Sequence, residues 1–179
     1  MLNAENSVLT VVDVQGKLAQ MMHEKERFFQ NLAVMIQGAK ILEIPILWLE
    51  QMPENLGSTT AEIAALLDGL QPIPKHSFSA WGEPVFREAF RKTKRKKILL
   101  TGIETHICVY QTARDLLLQG CEVHVISDAV ASRIAENRSI GLERIKDAGG
   151  VRSSVETALF EIMKEAGGEK FREIVRMLR

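Results

Sequence analysis

Short runs of apolar, largely β-branched residues recur along the chain, separated by longer amphipathic stretches. The clearest of these runs cover residues 7–13, 46–49, 97–101 and 121–126. Residues 7–13 have the pattern of a central strand covered by protein on both faces, and the other runs are also predicted to be strands. Residues 75–81 are predicted to be extended after Pro72 and Pro74, and a brief strand is expected near Val151, which makes six strands.

The stretches between the strands carry apolar residues at helical spacing. Helices are predicted for residues 25–43, 60–70, 83–92, 105–120 and 135–148, followed by a final amphipathic stretch. Strands that alternate with helices of this length indicate βαβ units. The predicted fold class is therefore α/β, with three α/β/α layers around a central, mostly parallel six-stranded sheet. No linker interrupts the pattern, so residues 1–179 are expected to form a single domain.

Composition and charge exclude several classes of protein. Hydrophobic residues make up 46% and charged residues 26% of the 179 residues, which is ordinary for a globular domain. The 23 Lys and Arg residues balance 23 Asp and Glu residues, so no overall field attracts a polyanion. Residues 91–97 hold six cations, but they close a predicted helix without interleaved aromatic residues, so no nucleic-acid partner is predicted.

The remaining global features concern location and cysteine use. The first residues lack a basic segment followed by an apolar one, and no apolar run is long enough to cross a bilayer, so a cytoplasmic protein without membrane contact is expected. The two cysteines, Cys108 and Cys121, are too few for a disulfide scaffold. Because no CxxC, HxH, HExxH, GxGxxG or GxxxxGK[ST] pattern occurs, no metal site and no cofactor are predicted.

Polar residues at the carboxyl ends of the strands are the natural candidates for chemistry, because open parallel sheets bind ligands there. Cys108 falls in the first turn of the helix predicted to open at Thr105, where free N–H groups and the helix dipole stabilise a thiolate. A buried structural cysteine is the alternative. Cys121 follows a helix-ending glycine and is expected to be a packed, unreactive residue.

Two charged residues are further candidates to act with this cysteine. Asp13 ends the first apolar run, where a carboxylate is costly unless it is paired, although capping the next turn is an equal alternative. Lys75 lies between proline and aromatic residues, as at the edge of a pocket, although an isolated lysine is usually solvated. His76 and His106 are further candidates for a base, with a structural role as their alternative.

Three segments together resemble the isochorismatase-like cysteine hydrolase superfamily, which includes nicotinamidase and N-carbamoylsarcosine amidohydrolase. They are VVDVQ at the first strand, KHSFSAW in mid-chain, and TGIETHICVYQTARDLLLQG. The resemblance runs from about residue 7 to residue 154 and implies a Rossmann-like sheet. It maps the catalytic acid onto Asp13, the catalytic lysine onto Lys75 and the nucleophile onto Cys108.

The resemblance also implies a reaction and a backbone geometry. It implies a cis peptide bond between Ile103 and Glu104, and an oxyanion hole formed by the N–H groups of Glu104 and Cys108. Hydrolysis of an amide-like C–N bond through a thioacyl intermediate is the implied reaction. The alternatives from other classes are a non-catalytic binding protein, a thiol redox protein, and isochorismatase-type hydrolysis of another small substrate.

The substrate itself is less constrained. The histidine metal ligands of the nicotinamidases have no counterpart in LEQMPENLGSTT, so zinc and nicotinamide are not expected. Side chains near the strand ends or beside Lys75 are candidates for the pocket, with ordinary packing as the alternative: Gln15, Glu50, Gln51, Phe78 and Trp81. A homo-oligomer is expected, with apolar contacts from Met21, Met22, Phe28, Phe29 and Met52.

Overall fold

A computed structural model describes residues 1–178 of the chain. Six parallel strands form one sheet in the order β3-β2-β1-β4-β5-β6. The strands are β1 (Ser7–Val12), β2 (Ile46–Gln51), β3 (Ile73–Lys75), β4 (Lys97–Ile103), β5 (Glu122–Ala131) and β6 (Val151–Ser153). In this order, the direction in which successive strands are added to the sheet reverses between β1 and β4, at the centre of the sheet.

Nine α-helices flank the sheet within residues 1–178. They are α1 (Gly16–Gln20), α2 (Lys25–Ile41), α3 (Pro53–Leu56), α4 (Ala61–Ala64), α5 (Pro84–Thr93), α6 (Tyr110–Leu118), α7 (Ala135–Asp147), α8 (Val155–Met163) and α9 (Gly168–Met177). None of the helices in this part of the chain is both long and apolar enough to span a membrane.

The core consists of two apolar clusters, one on each face of the sheet. All six residues of β1 are buried, and they alternate between the clusters: Leu9 and Val11 face one, whereas Val8 and Val12 face the other. The first cluster includes residues of α2, α8 and α9, and the second includes residues of α5, α6 and α7. The α/β fold with three layers, predicted from the apolar runs, is thus confirmed.

The segment after β3 differs from the prediction. The pattern predicts an extended segment over residues 75–81, but the strand ends at Lys75 and a 3₁₀ turn follows at Ala80–Gly82. The Lys75 ammonium donates to the carbonyl oxygens of Ser77 and Phe78, at 3.1 and 3.0 Å, and so folds the segment back on itself. A charged side chain that binds its own following backbone is the reason that the extended conformation is lost.

The segment after β4 also differs. The pattern predicts a helix opened and capped by Thr105, whereas residues Thr105–Val109 form a π-helical turn and Glu104 occupies the cap position. The Thr105 hydroxyl donates instead to the carbonyl oxygen of Ala131, at 3.0 Å. π-Helical turns are rare and occur frequently at functional sites. The turn sets Cys108 just before α6, which begins at Tyr110.

A glycine allows α7 to pack closely on this turn. A Cβ atom at Gly141 would lie 2.7 Å from the backbone nitrogen of His106 and equally close to the Thr105 carbonyl group. Real Cβ atoms do not approach backbone that closely, so any larger residue would displace the turn. The position of the segment that carries Cys108 therefore depends on a small residue in a helix more than thirty residues later in the chain.

Candidate active site

Asp13, Lys75 and Cys108 meet at the carboxyl edge of the sheet. Asp13 directly follows β1, Lys75 is the last residue of β3, and Cys108 lies in the turn that follows β4. All three are buried, with 2%, 0% and 8% of their surface exposed. The backbone at Asp13 is in the left-handed region, with a φ angle of 54°. The fold thus brings these three residues together from distant parts of the chain.

Lys75 and Asp13 form a buried ion pair, in which Nζ lies 2.8 Å from Oδ2. The Lys75 ammonium also donates to Oε1 of Gln51, at 2.5 Å, and to the two carbonyl oxygens that follow β3. A buried charge is tolerated only where such partners replace water. The alternative of a solvated lysine at this position is therefore wrong.

The Cys108 thiol lies beside this pair, and its surroundings favour the neutral form. Burial, and then the negative charge of Asp13, raise the pKa of Cys108 to about 12, against a smaller opposing effect of Lys75. The expectation that the start of a helix would stabilise a thiolate is not met, because desolvation and the neighbouring carboxylate both favour the thiol form.

Asp13 is set up to accept a proton. Burial raises the pKa of Asp13 above its ordinary value, and Lys75 opposes that rise. Within residues 1–178, no group donates a hydrogen bond to its Oδ1 atom. A buried carboxylate oxygen without a donor is uncommon in folded proteins. The oxygen is free to receive a hydrogen from a neighbouring thiol or from a bound ligand.

Glu104 follows β4 through a cis peptide bond to Ile103. Its side chain is buried and pairs with Arg133, whose guanidinium nitrogens lie 3.0 to 3.2 Å from the carboxylate oxygens. The backbone N–H of Arg133 donates to the same carboxylate, at 2.9 Å. These contacts join the segment after β4 to the segment after β5. They hold the backbone of Glu104 next to the turn that carries Cys108.

These residues border a cavity of about 210 Å³. Its polar lining comes from Asp13, Gln51, Glu104, Cys108 and Arg133, and its apolar lining comes from Leu18, Leu56, Phe78, Ile103 and Ile107. A mostly apolar concave site with a few converging polar groups is the usual form of a small-molecule site. The predicted pocket residues Gln51 and Phe78 are among its lining.

Three of the predicted pocket residues lie elsewhere. The Gln15 amide donates to the carbonyl oxygens of Gln51 and Gly57 and accepts from the backbone of Gln51, so it ties β1 to β2. Glu50 accepts two hydrogen bonds from Thr59, at 2.7 and 2.8 Å. Trp81 packs edge-on against Phe90 at 6.0 Å. Their roles are structural, because polar residues at strand ends can also serve to hold neighbouring loops.

The histidines lie outside the cavity lining. Nδ1 of His106 is 3.1 Å from the Ser132 hydroxyl, His124 pairs with Glu122, and His76 is exposed. In residues 1–178, no three His, Cys, Asp or Glu side chains cluster as metal ligands do. Asp13 is the basic group beside the thiol.

Arg133 is a charged residue of the cavity lining that was not predicted from the sequence, and the apolar lining residues Leu18, Leu56, Ile103 and Ile107 were not predicted either. Arg133 comes two residues after the end of β5, so the strand-end argument would have found it had β5 been predicted to reach Ala131. The apolar run predicts an end at residue 126. The strand continues past a register shift in its pairing with β4, between Leu100 and Gly102, and no pattern in the sequence marks such a shift.

The open parallel sheet, with a buried thiol, carboxylate and ammonium at its carboxyl edge, defines an α/β protein with its candidate site where such sheets bind ligands. Residues 7–157 match the family model described as the isochorismatase domain, and the chain belongs to the isochorismatase family. The resemblance noted in the sequence is therefore confirmed.

Individual relatives support this assignment. The secreted isochorismatase effector Isc1 of Phytophthora sojae is 38% identical over 178 residues, which cover 97% of this chain and 85% of the relative. The structure of the MAR1 ribonuclease from Caenorhabditis elegans is 32% identical with a TM-score of 0.91, covering 99% of this chain and 91% of that one. YcaC from Pseudomonas aeruginosa, solved with hexane-2,5-diol and covalent acrylamide, is 20% identical with a TM-score of 0.93, covering 98% of this chain and 90% of that one.

Proposed function

We propose that this protein hydrolyses an amide-like C–N bond of a small molecule, with Cys108 as the nucleophile. The observation that carries the proposal is the 2.8 Å ion pair between Lys75 and Asp13, whose carboxyl group lines the same cavity as the Cys108 thiol. Nucleophilic catalysis needs a nucleophile, a base within reach and a group that orients the base. Cys108, Asp13 and Lys75 fill these three roles.

In the first half of the reaction, the Cys108 sulfur attacks the carbonyl carbon while its proton passes to Asp13. The high pKa of the thiol means that proton transfer accompanies the attack rather than preceding it. The new C–S bond leaves negative charge on the carbonyl oxygen, which the N–H groups of Glu104 and Cys108 are proposed to stabilise. Asp13 then gives its proton to the nitrogen as the C–N bond breaks, and the amine leaves.

In the second half, a water molecule attacks the thioacyl carbon and gives its proton to Asp13. The C–S bond breaks, the product acid leaves, and Cys108 recovers its proton from Asp13. Lys75 remains an ammonium throughout and stabilises the carboxylate form of Asp13 at each step. No oxidant or reductant enters the cycle, and all protons return to their starting positions.

The cavity favours a small substrate. About 210 Å³ is below the roughly 300 Å³ at which pockets for drug-sized ligands begin. Its apolar side chains suit a short hydrocarbon group on the acyl or amine side. Arg133 lies at the rim with its side chain half exposed, and it is neutralised by Glu104.

The position of the cationic run supports a small molecule over RNA. Although one relative is named a ribonuclease, Lys94, Arg95 and Lys96 immediately precede β4 and therefore lie at the opposite edge of the sheet from Cys108. Proteins that bind a nucleic-acid backbone place their cations along the path of its phosphates. Lys75 and Arg133 lie at the same edge of the sheet as the thiol, and both are paired with carboxylates.

A screen of small amides, carbamates and related compounds tests the proposal. Wild type is expected to release amine or ammonia from at least one compound, Cys108→Ser and Cys108→Ala are expected to be inactive, and Cys121→Ser is expected to match wild type. Full turnover by a folded Cys108→Ala variant would refute the mechanism. The absence of turnover by wild type, combined with tight binding of the compounds, would favour the non-catalytic binding protein.

We further propose that the chain is one hydrolase domain that assembles with copies of itself. Of the residues expected to form the contact, Met22 and Phe28 are buried in the core and are unavailable, whereas Met21 is 60% exposed. Light scattering coupled to size-exclusion chromatography should give a mass that is a multiple of 20.1 kDa. A monomeric mass at all concentrations would contradict the assembly.

A further inference from the structure

A second cavity, of about 270 Å³, lies on the other side of the β5 end from the proposed active site. Three arginines from three different elements line it: Arg27 of α2, Arg138 of α7 and Arg152 of β6. We propose that this cavity binds a compact oxyanion, either inorganic phosphate or a small phosphate monoester. The hydrolytic mechanism uses none of these residues.

The three cations of this cavity lack carboxylate partners. Within residues 1–178, none of the three guanidinium groups lies within 4.0 Å of a carboxylate oxygen, although Arg114 and Arg133 of the same chain form such pairs. Cations that face one another without a directly paired counterion repel. Burial and then the positive charge of Arg152 lower the pKa of Arg138, the charges of Glu24 and Asp128 oppose this effect, and Arg27 adds a smaller lowering contribution. A bound anion would relieve this repulsion.

Arg138 is held in place by the backbone of β5. Its Nε donates to the carbonyl oxygen of Val130, at 3.0 Å, and its Nη2 donates to that of Ser127. A guanidinium carries five N–H donors, so these two bonds orient the side chain and leave donors available. A guanidinium group held in a fixed orientation can donate its remaining N–H groups to the oxygens of a phosphate group.

Two acidic residues, Glu24 and Asp128, also line the cavity and reduce its net positive charge. Oδ1 of Asp128 already accepts a hydrogen bond from the backbone N–H of Val155, at 2.9 Å, so this carboxylate stabilises the N-terminal end of α8. Glu24 is exposed at the rim. The cavity thus has three arginines and two carboxylates, and neither carboxylate lies within ion-pair distance of these arginines. This excess of positive charge favours an anion over a cation as the ligand.

The size of the cavity and its place in the fold narrow the ligand class. The space of about 270 Å³ exceeds a bare phosphate and leaves room for a small organic group on one oxygen. The cavity opens beside β6, which is the edge strand of the sheet, so a ligand can enter without displacing core residues. A phosphate monoester and free phosphate share the chemistry that the arginines recognise.

Calorimetric titration of the full chain with inorganic phosphate and with glycerol 3-phosphate, at constant ionic strength, tests the proposal. Saturable binding is expected, and Arg27→Ala and Arg152→Ala are each expected to weaken it by about tenfold, because each removes one charge-assisted contact. Both positions are exposed, so the variants should fold like wild type. Tighter binding of the ester identifies a phosphate monoester as the ligand, and equal affinities identify free phosphate.

Two control variants test whether phosphate binding depends on this cavity alone. Arg133→Ala removes the arginine of the proposed active site, and Arg172→Ala removes an exposed arginine of α9. Both are expected to bind phosphate as wild type does. The proposal is overturned if wild type shows no saturable binding, if Arg27→Ala/Arg152→Ala binds undiminished, or if Arg133→Ala abolishes binding.

Discussion

Nζ of Lys75 lies 2.8 Å from Oδ2 of Asp13, and solvent reaches almost nothing of either side chain. A pair of this kind is costly to form, since both ions must leave water, and it is more costly to break from one side. The relationship matters for both stability and chemistry, because the same carboxylate acts on the pKa of Cys108.

Replacing Lys75 by Met should destabilise the protein by about 3 to 5 kcal/mol, because a buried carboxylate loses its counterion. Urea denaturation at pH 7 measures the loss. The double variant Asp13→Asn/Lys75→Met should recover part of it, since no unpaired charge remains. As a matched control, Lys92→Met breaks a solvent-exposed pair with Glu88 and should leave the unfolding midpoint unchanged. Equal effects of Lys75→Met and Lys92→Met would contradict the buried pair.

The rate at which iodoacetamide modifies Cys108 should rise by about tenfold per pH unit from pH 7 to pH 10, because the thiolate fraction grows in that way below a pKa of about 12. Peptide mass spectrometry distinguishes Cys108 from Cys121. A rate that levels off by pH 8 would show that the thiol is not held protonated.

The variant Asp13→Asn should lower the pKa of Cys108, because it removes a negative charge that raises that pKa. Alkylation of Cys108 at a given pH should therefore be faster in the variant than in wild type. Catalysis should nevertheless fall, by at least about 10²-fold, because the base is lost. Faster alkylation together with lower turnover would show that Asp13 has two distinct roles, one in raising the pKa of Cys108 and one as the base. Slower alkylation in Asp13→Asn would contradict the proposed electrostatics.

Gly141→Ala should reduce turnover and destabilise the fold by about 1 to 3 kcal/mol, since its Cβ would overlap the backbone at Thr105 and His106. The expected kinetic signature is a lower kcat, because the turn that carries Cys108 is displaced. Gly167→Ala offers a matched control, as nothing lies within 4 Å of its Cβ. Identical kinetics in the two variants would mean that α7 does not position the nucleophile.

Cys108→Ala should abolish turnover, by at least about 10³-fold, without loss of structure, because the residue removed is the proposed nucleophile. Circular dichroism and the urea midpoint check that the variant is folded. Cys121→Ala controls for the loss of a thiol elsewhere. A fall in activity in both variants to the same degree would point to a packing effect instead.

Asp13 could be singled out from the sequence because it ends an apolar run, and Cys108 because it lies near a predicted helix start, whereas the resemblance was needed to join Lys75 to them. The rule that polar residues at strand ends line the site misplaced Gln15 and Glu50. A polar side chain at a strand end can bind a neighbouring loop as readily as a ligand, and only the three-dimensional contacts of Gln15 with Gln51 and Gly57 decide between the two.

The chemical state of Cys108 could not be predicted from the sequence for a different reason. Its position near a helix start is readable from the pattern, but its burial and its distance from Asp13 arise from packing between remote segments. The π-helical turn and the long β5 are further examples. Both depend on contacts across the sheet, such as the bond from Thr105 to Ala131, that no local pattern encodes.

The close packing of Gly141 against the turn at Thr105 and His106 determines when, during synthesis, the proposed active site is completed. Asp13, Lys75 and Cys108 have all been synthesised well before α7 emerges, yet the nucleophile is supported only when that helix docks. A nascent or truncated chain that ends before Ala135 would contain Asp13, Lys75 and Cys108 but would lack α7, which packs against the turn that carries Cys108. The proposed active site would therefore be completed only after α7 has been synthesised and has docked.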